Sequence, residues 1–113
     1  MTLEHFLEEL RKYEKQPKMW VVDLERQTEF TQAYREISAL VLKEEPTAKI
    51  ECAMHEVSVG AGVIRIEADW VTVREIQKFC TAISKANNLE IYPIADDALR
   101  MSIVFYGIYK RIV

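Results

Sequence analysis

Apolar residues in this chain recur first at spacings of three and four and later at every second position, and that change of period divides it into elements. Leu3, Phe6, Leu7, Leu10 and Tyr13 make one stripe of a helix running from Leu3 to about Lys15. Thr2 is its N-cap, Glu4, Glu8 and Glu9 complement its positive end, and Pro17 stops it. Met19-Trp20-Val21-Val22 is too short for a helix and rich in strand-favouring side chains, which predicts a short strand. Phe30, Ala33, Tyr34, Ile37, Leu40 and Val41 then predict a second helix over Thr28 to Lys43, closed off by Pro46. Its start is open between two good caps, Asp23 and Thr28.

From Ala48 the period becomes two. Ile50, Cys52 and Met54 alternate with Glu51, Ala53 and His55 up to Val57, and the answering strand sets Ile64, Ile66, Ala68 and Trp70 inward with Arg65, Glu67 and Asp69 outward. Gly60-Ala61-Gly62 joins them, its glycines supplying the positive φ of a tight reversal, while Val57 and Val59 break the phase and predict a bulge or a splayed end. Thr72-Val73-Arg74-Glu75 reads as a capping box, with Ile76, Phe79, Cys80 and Ile83 as the apolar face of a helix lasting to Ala86 and ended by Asn87-Asn88. A second hairpin follows, Leu89 to Ala95 and Leu99 to Tyr109 around Asp96-Asp97, with Pro93 putting its first strand at an edge or bulge. In the last strand Met101, Ile103 and Phe105 point one way and Val104, Tyr106 and Ile108 the other, so it is apolar on both faces and needs two covers. The second cover is the N-terminal helix, the Trp20 segment or another copy of the chain.

The expected class is therefore α+β, an antiparallel sheet with helices packed on it and a helix in front. Two plans fit. In one, Met19 to Ala95 forms a ferredoxin-like βαββαβ with an extra C-terminal strand. In the other, the Trp20 strand stays out and the sheet is ββαββ. At 113 residues one domain is expected, with the helix at about 3–15 able to pack as an arm.

Composition removes several classes of function. Apolar runs are a few residues long against the roughly 20 needed to cross a bilayer, and acids rather than bases open the chain, so neither membrane partner nor export is expected. A net charge of −3 argues against a nucleic-acid partner. Trp20 sits where RNA-recognition modules place a stacking aromatic, but Val63 to Ile66 lacks the second set. Cys52 and Cys80 lie in apolar-periodic segments and read as buried free thiols of a cytoplasmic protein.

Candidate chemistry is sparse. His5 and His55 have no ligand partners at metal-site spacing, and His55 and Glu56 point to opposite strand faces; across the hairpin His55 could meet Arg65 or Glu67. No Ser or Cys sits in a nucleophile elbow, Gly60-Ala61-Gly62 precedes a strand rather than a helix N-terminus, and Asp96-Asp97 lacks the alternating acids of a calcium loop. No catalytic residue, metal or cofactor is expected.

What remains is surface. Tyr92, Ile94, Val104, Tyr106 and Ile108 are expected to cluster on the sheet face away from the Thr72 helix and to bind a protein partner, foremost a second copy in a homodimer. The function expected is that of a noncatalytic interaction or accessory domain. The alternatives are a regulatory domain binding a small molecule, although no glycine loop follows the Trp20 strand, and behind it an RNA-binding module or an inhibitor of a host protein carried by a phage or mobile element.

Overall fold

The computed structural model describes residues 1–14 and 20–111; Lys15, Pro17 and Met19 lie outside them, as do the side chains of Tyr13 and Trp20. Helix α1, Leu3–Glu14, begins as expected, with the Thr2 hydroxyl accepting from the His5 N–H at 3.1 Å. Strand β1, Trp20–Val22, leads straight into α2, Leu24–Glu44. Asp23 rather than Thr28 caps α2, accepting from the Arg26 N–H at 3.1 Å. Then come β2, Lys49–Met54; β3, Gly62–Asp69; α3, Trp70–Phe79; a short 3-10 helix, Thr81–Lys85; β4, Asn88–Pro93; β5, Ala98–Phe105; and β6, Tyr109–Arg111.

Of the two expected plans, the ββαββ sheet is the one that forms. Strands order as β2-β3-β5-β4 with every neighbouring pair antiparallel, so α3 carries the chain from β3 over to the far edge and β5 returns between them. The ferredoxin-like plan fails because β1 does not enter this sheet; it pairs with β6 in a separate two-stranded ribbon. That pairing rests on a break in the expected long last strand. Tyr106 and Gly107 leave the ladder, Gly107 takes a φ of +76°, and the chain restarts as β6 in a different phase.

Other local expectations shift by a few residues. Helix α3 starts at Trp70, with Asp69 as the cap accepting from the Val71 N–H at 2.8 Å, so Trp70 is 45% exposed instead of facing inward. Thr72 is buried, not a cap, and its hydroxyl lies 3.5 Å from a Glu45 carboxylate oxygen that also accepts the Asp69 N–H at 3.0 Å. The α-helix ends at Phe79, which is exposed, because Cys80 adopts an extended backbone before the 3-10 turn. In the first hairpin the connection is residues 55–61; only Gly60 of its glycines has positive φ, +86°, and Gly62 is already the first residue of β3.

One face of the sheet carries the core. Cys52, Ile64, Ile66, Ala68, Met101, Ile103 and Phe105 join Leu3, Phe6 and Leu10 of α1, Phe30, Ala33, Ile37 and Val41 of α2, and Val73 and Ile76 of α3. Apolar area removed from water there is the main stabilising term. Phe6 stacks on Phe30 with centroids 4.7 Å apart, and Phe30 meets Phe105 edge-on at 5.5 Å. These rings need Gly62: a β-carbon there would lie 2.8 Å from Phe6 Cζ and from Ile108 Cδ1.

Arg26 in the first turn of α2 clamps the far end of the fold. Its guanidinium donates to the Tyr106 carbonyl at 2.8 Å, the Lys85 carbonyl at 2.8 Å, Glu29 Oε2 at 3.0 Å and the Asn87 side chain, and it lies over the Phe105 ring. Four acceptors on one planar fork is a use that only Arg can serve.

Candidate functional site

All three described α-helices bury their apolar stripes in the core that the Ile64 and Met101 face contributes, so the opposite face of the sheet has no helix on it among the described residues. The strand register sorts that open face into cross-strand rows. Ala53, Val63, Val104 and Asn88 form the first; Glu51, Arg65, Ser102 and Glu90 the second; Lys49, Glu67, Arg100 and Tyr92 the third.

The first row is apolar at its centre. Val63 and Val104 pack with Ala61 from the hairpin return and are 4% and 1% exposed. The second cover of β5 is thus the hairpin of its own sheet, since α1 lies on the core side through Phe6. The other rows are charged and alternate in sign. Arg65 Nη1 donates to Glu51 at 3.0 Å, and Arg100 Nε donates to Glu67 at 2.9 Å while its guanidinium lies 5.8 Å from the Tyr92 ring centroid. The Arg100 guanidinium, and after it the Ser102 hydroxyl, hold the Tyr92 phenol below its ordinary value. Half-exposed pairs of this kind contribute about 0–1 kcal/mol each, so the rows shape a surface more than they hold the fold.

Above the rows lies a groove of about 460 Å³, floored by Arg65, Ser102, Arg100 and Tyr92 and walled by His55, Glu56 and Val57 of the hairpin connection. His55 does not reach Arg65 or Glu67 as a partner. Its Nδ1 accepts the N–H groups of Val57 at 3.3 Å and Ser58 at 2.8 Å, which folds the connection, and its ring stands edge-on to Tyr106. His5 sits on α1, 3.5 Å from Glu9. Among the described residues no three His, Cys, Asp or Glu side chains come together as a metal site. Both thiols are buried, and burial pushes Cys52 up to about 12 and Cys80 in the same direction, so neither is a ready nucleophile.

The residues expected to make a common face separate. Tyr92, Ile94 and Tyr106 are 40%, 42% and 41% exposed, whereas Val104 and Ile108 are each 1% exposed. Val104 does point to the open face but lies beneath the hairpin, and Ile108 enters the main core because the turn at Gly107 reverses the alternation that placed it beside Tyr106. Arg65 and Glu67 lie on the open face as the alternation of β3 predicts, and what sequence reasoning missed is the rest of the polar floor, Arg100, Ser102 and Glu90. The signal was present, since Arg100 and Ser102 share the parity of Val104 in β5.

The chain matches no protein-family model, no curated protein and no solved structure.

Proposed function

We propose that this protein is a noncatalytic interaction domain that binds another protein chain, in the first place a second copy of itself, through the open side of its four-stranded sheet. The observation that carries the reading is the one-sided packing of the helices, which leaves Tyr92, Ile94 and Tyr106 about two-fifths exposed beside rows of alternating charge. Exposed aromatics beside polar groups are what protein interfaces recruit, and alternating charges suit a partner bearing the same pattern in reverse. Two unpaired thiols support a reducing, cytoplasmic setting, and no helix among the described residues is long and apolar enough to cross a membrane.

Sedimentation of the purified chain over a concentration series tests this. The expected result is a mass above the monomer that the double substitution Tyr92→Glu with Tyr106→Glu returns to monomer without changing the circular dichroism spectrum. The Tyr106 backbone bonds to Asn87 and Arg26 do not involve its ring, which meets His55 edge-on at the surface, so the fold is expected to survive the change. An oligomer untouched by both substitutions overturns the reading. The groove over Arg65, Arg100 and Tyr92 favours a second reading, a small polar ligand of a regulatory domain. A rise in melting temperature with one metabolite and a monomeric mass would select it.

A further inference from the structure

The sheet has two outer strands, and they are finished differently. At the β2 edge the Cys52 N–H donates to the Met1 carbonyl at 2.8 Å and the Met1 amino group lies 3.7 Å from Glu51, so the start of the chain occupies the middle of that edge. Nothing described is paired to the outside of β4. Its parity can be read from its ends. The Ile94 N–H donates to the Ala98 carbonyl, and on the other side of β5 the Trp70 N–H donates to the Asp97 carbonyl. Backbone groups alternate along a strand, so Glu90 and Tyr92 bond inward to β5, and Leu89, Ile91 and Pro93 turn theirs outward. The Leu89 N–H is already taken by the Asn88 side chain at 2.9 Å, and Pro93 has none. The outward donor left on β4 is the N–H of Ile91.

We infer that this protein forms a two-fold dimer by pairing β4 with the β4 of a second copy, antiparallel and centred on Ile91, so that the two open faces become one continuous surface. The inference rests on the reading above that the protein binds a second copy, and places that contact at the β4 rim of the open side rather than across its face. Centring on Ile91 makes the residue its own partner across the axis, each copy donating one N–H and accepting one. Tyr92 then stands opposite Glu90 of the other copy. The row Lys49, Glu67, Arg100, Tyr92 continues across the axis into Glu90, Ser102, Arg65 and Glu51 of the second copy, and its charged positions alternate in sign, with Tyr92 and Ser102 neutral between them. A shift of the centre to Glu90 sets two carboxylates directly opposite, which destabilises an antiparallel pair. A shift to Tyr92 leaves Glu90 facing Ile94. The exposure of Ile91 and Tyr92, 37% and 40%, is apolar area at the rim that this pairing covers.

The test uses the whole chain. Ile91→Pro removes the outward donor and no bond to β5, so the variant is expected to keep its fold while dimer affinity falls at least about tenfold by sedimentation. Ile91→Cys gives an independent readout. In a directly bonded antiparallel pair the α-carbons lie about 5.5 Å apart, within disulfide reach, so mild oxidation should link two copies. Leu89→Cys should not link, because the equivalent positions are about 13 Å apart in this register. Cys52 and Cys80 are buried and do not compete. A dimer that survives Ile91→Pro and does not link through position 91 overturns the edge inference and leaves the protein-contact reading standing. A chain monomeric at every concentration overturns self-association altogether.

Discussion

Gly62→Ala places one methyl group where three side chains already meet. The added carbon would lie 2.8 Å from Ile108 Cδ1, 2.8 Å from Phe6 Cζ and 3.0 Å from Phe30 Cε2. Ile108 can swing the end of its chain, but Phe6 and Phe30 are stacked on each other and Phe30 is braced edge-on by Phe105, so the rings can yield only as a set. Overpacking a closed core of this kind costs about 1–3 kcal/mol. Gly to Ala recovers roughly 0.4–1 kcal/mol by restricting the unfolded chain, which leaves a net loss of about 1–2 kcal/mol. Urea unfolding followed by tryptophan fluorescence and circular dichroism should show a midpoint lower by roughly 0.5–1 M with the slope unchanged. Adding Phe6→Leu should restore part of the loss, since the methyl then enters space the ring has vacated, and the cycle should show coupling of about 0.5–1 kcal/mol. A midpoint equal to or above that of the unmodified chain would refute the claim that the glycine is a packing residue. So would strict additivity with Phe6→Leu.

The same method ranks the other glycines. Gly60→Ala should cost more than Gly62→Ala, because a positive φ is joined by a clash with the Tyr109 carbonyl oxygen at 2.7 Å, while Gly107→Ala meets nothing within 4 Å and should cost only its backbone conformation, about 1 kcal/mol. Arg26→Lys should lower stability by about 2–3 kcal/mol in urea, since a single ammonium cannot serve the carbonyls of Lys85 and Tyr106 together with Glu29 and Asn87; a loss below 0.5 kcal/mol, about the size of a surface change, would contradict the clamp. Iodoacetamide at pH 8 should modify Cys52 at least about a thousandfold more slowly than a free thiol until the chain is unfolded, and prompt labelling would contradict its burial. Lys110, donating to Asp23 at 2.7 Å, and then the Arg26 N–H hold the Asp23 carboxyl below its usual value. Its stabilising contribution is therefore complete above the unfolded carboxyl value near 4 and is lost as pH falls through the lower folded value. Asp23→Asn keeps a cap but should flatten that part of the acid limb of stability against pH, and parallel profiles would reject the assignment.

Period and punctuation made much of the fold legible. Two-residue alternation on both sides of Gly60 placed β2 and β3 and the sides their residues take, and Thr2 announced its helix through the donor it satisfies, while of the two caps open for α2 it is Asp23 that takes an N–H. The failures have physical causes. At the start of α3 two caps stand three residues apart, and Asp69 prevails because Thr72 is drawn into the core beside Glu45. The long final strand was misread because a lone glycine within an apolar run can be a strand residue or a break, and the pairing of β6 with β1, far away in sequence, decides which. That one misreading carried Ile108 to the wrong face. For the candidate site, Tyr92, Ile94 and Tyr106 were legible as residues that stay out of the core. The β3 half of the charged floor, Arg65 and Glu67, was legible from alternation, and the β5 half was not, because the apolar residues of β5 on both faces obscure that Arg100 and Ser102 share the parity of Val104.

The Arg26 guanidinium holds groups 59, 61 and 80 positions away along the chain. Partners so distant close long loops, so these bonds are expected to form after β4 and β5 have met, beyond the folding barrier rather than on its approach. On that order Arg26→Lys should quicken unfolding and leave refolding almost unchanged in stopped-flow measurements, and an equal slowing of refolding would contradict it. The endurance of this protein would then depend on a lock that closes last.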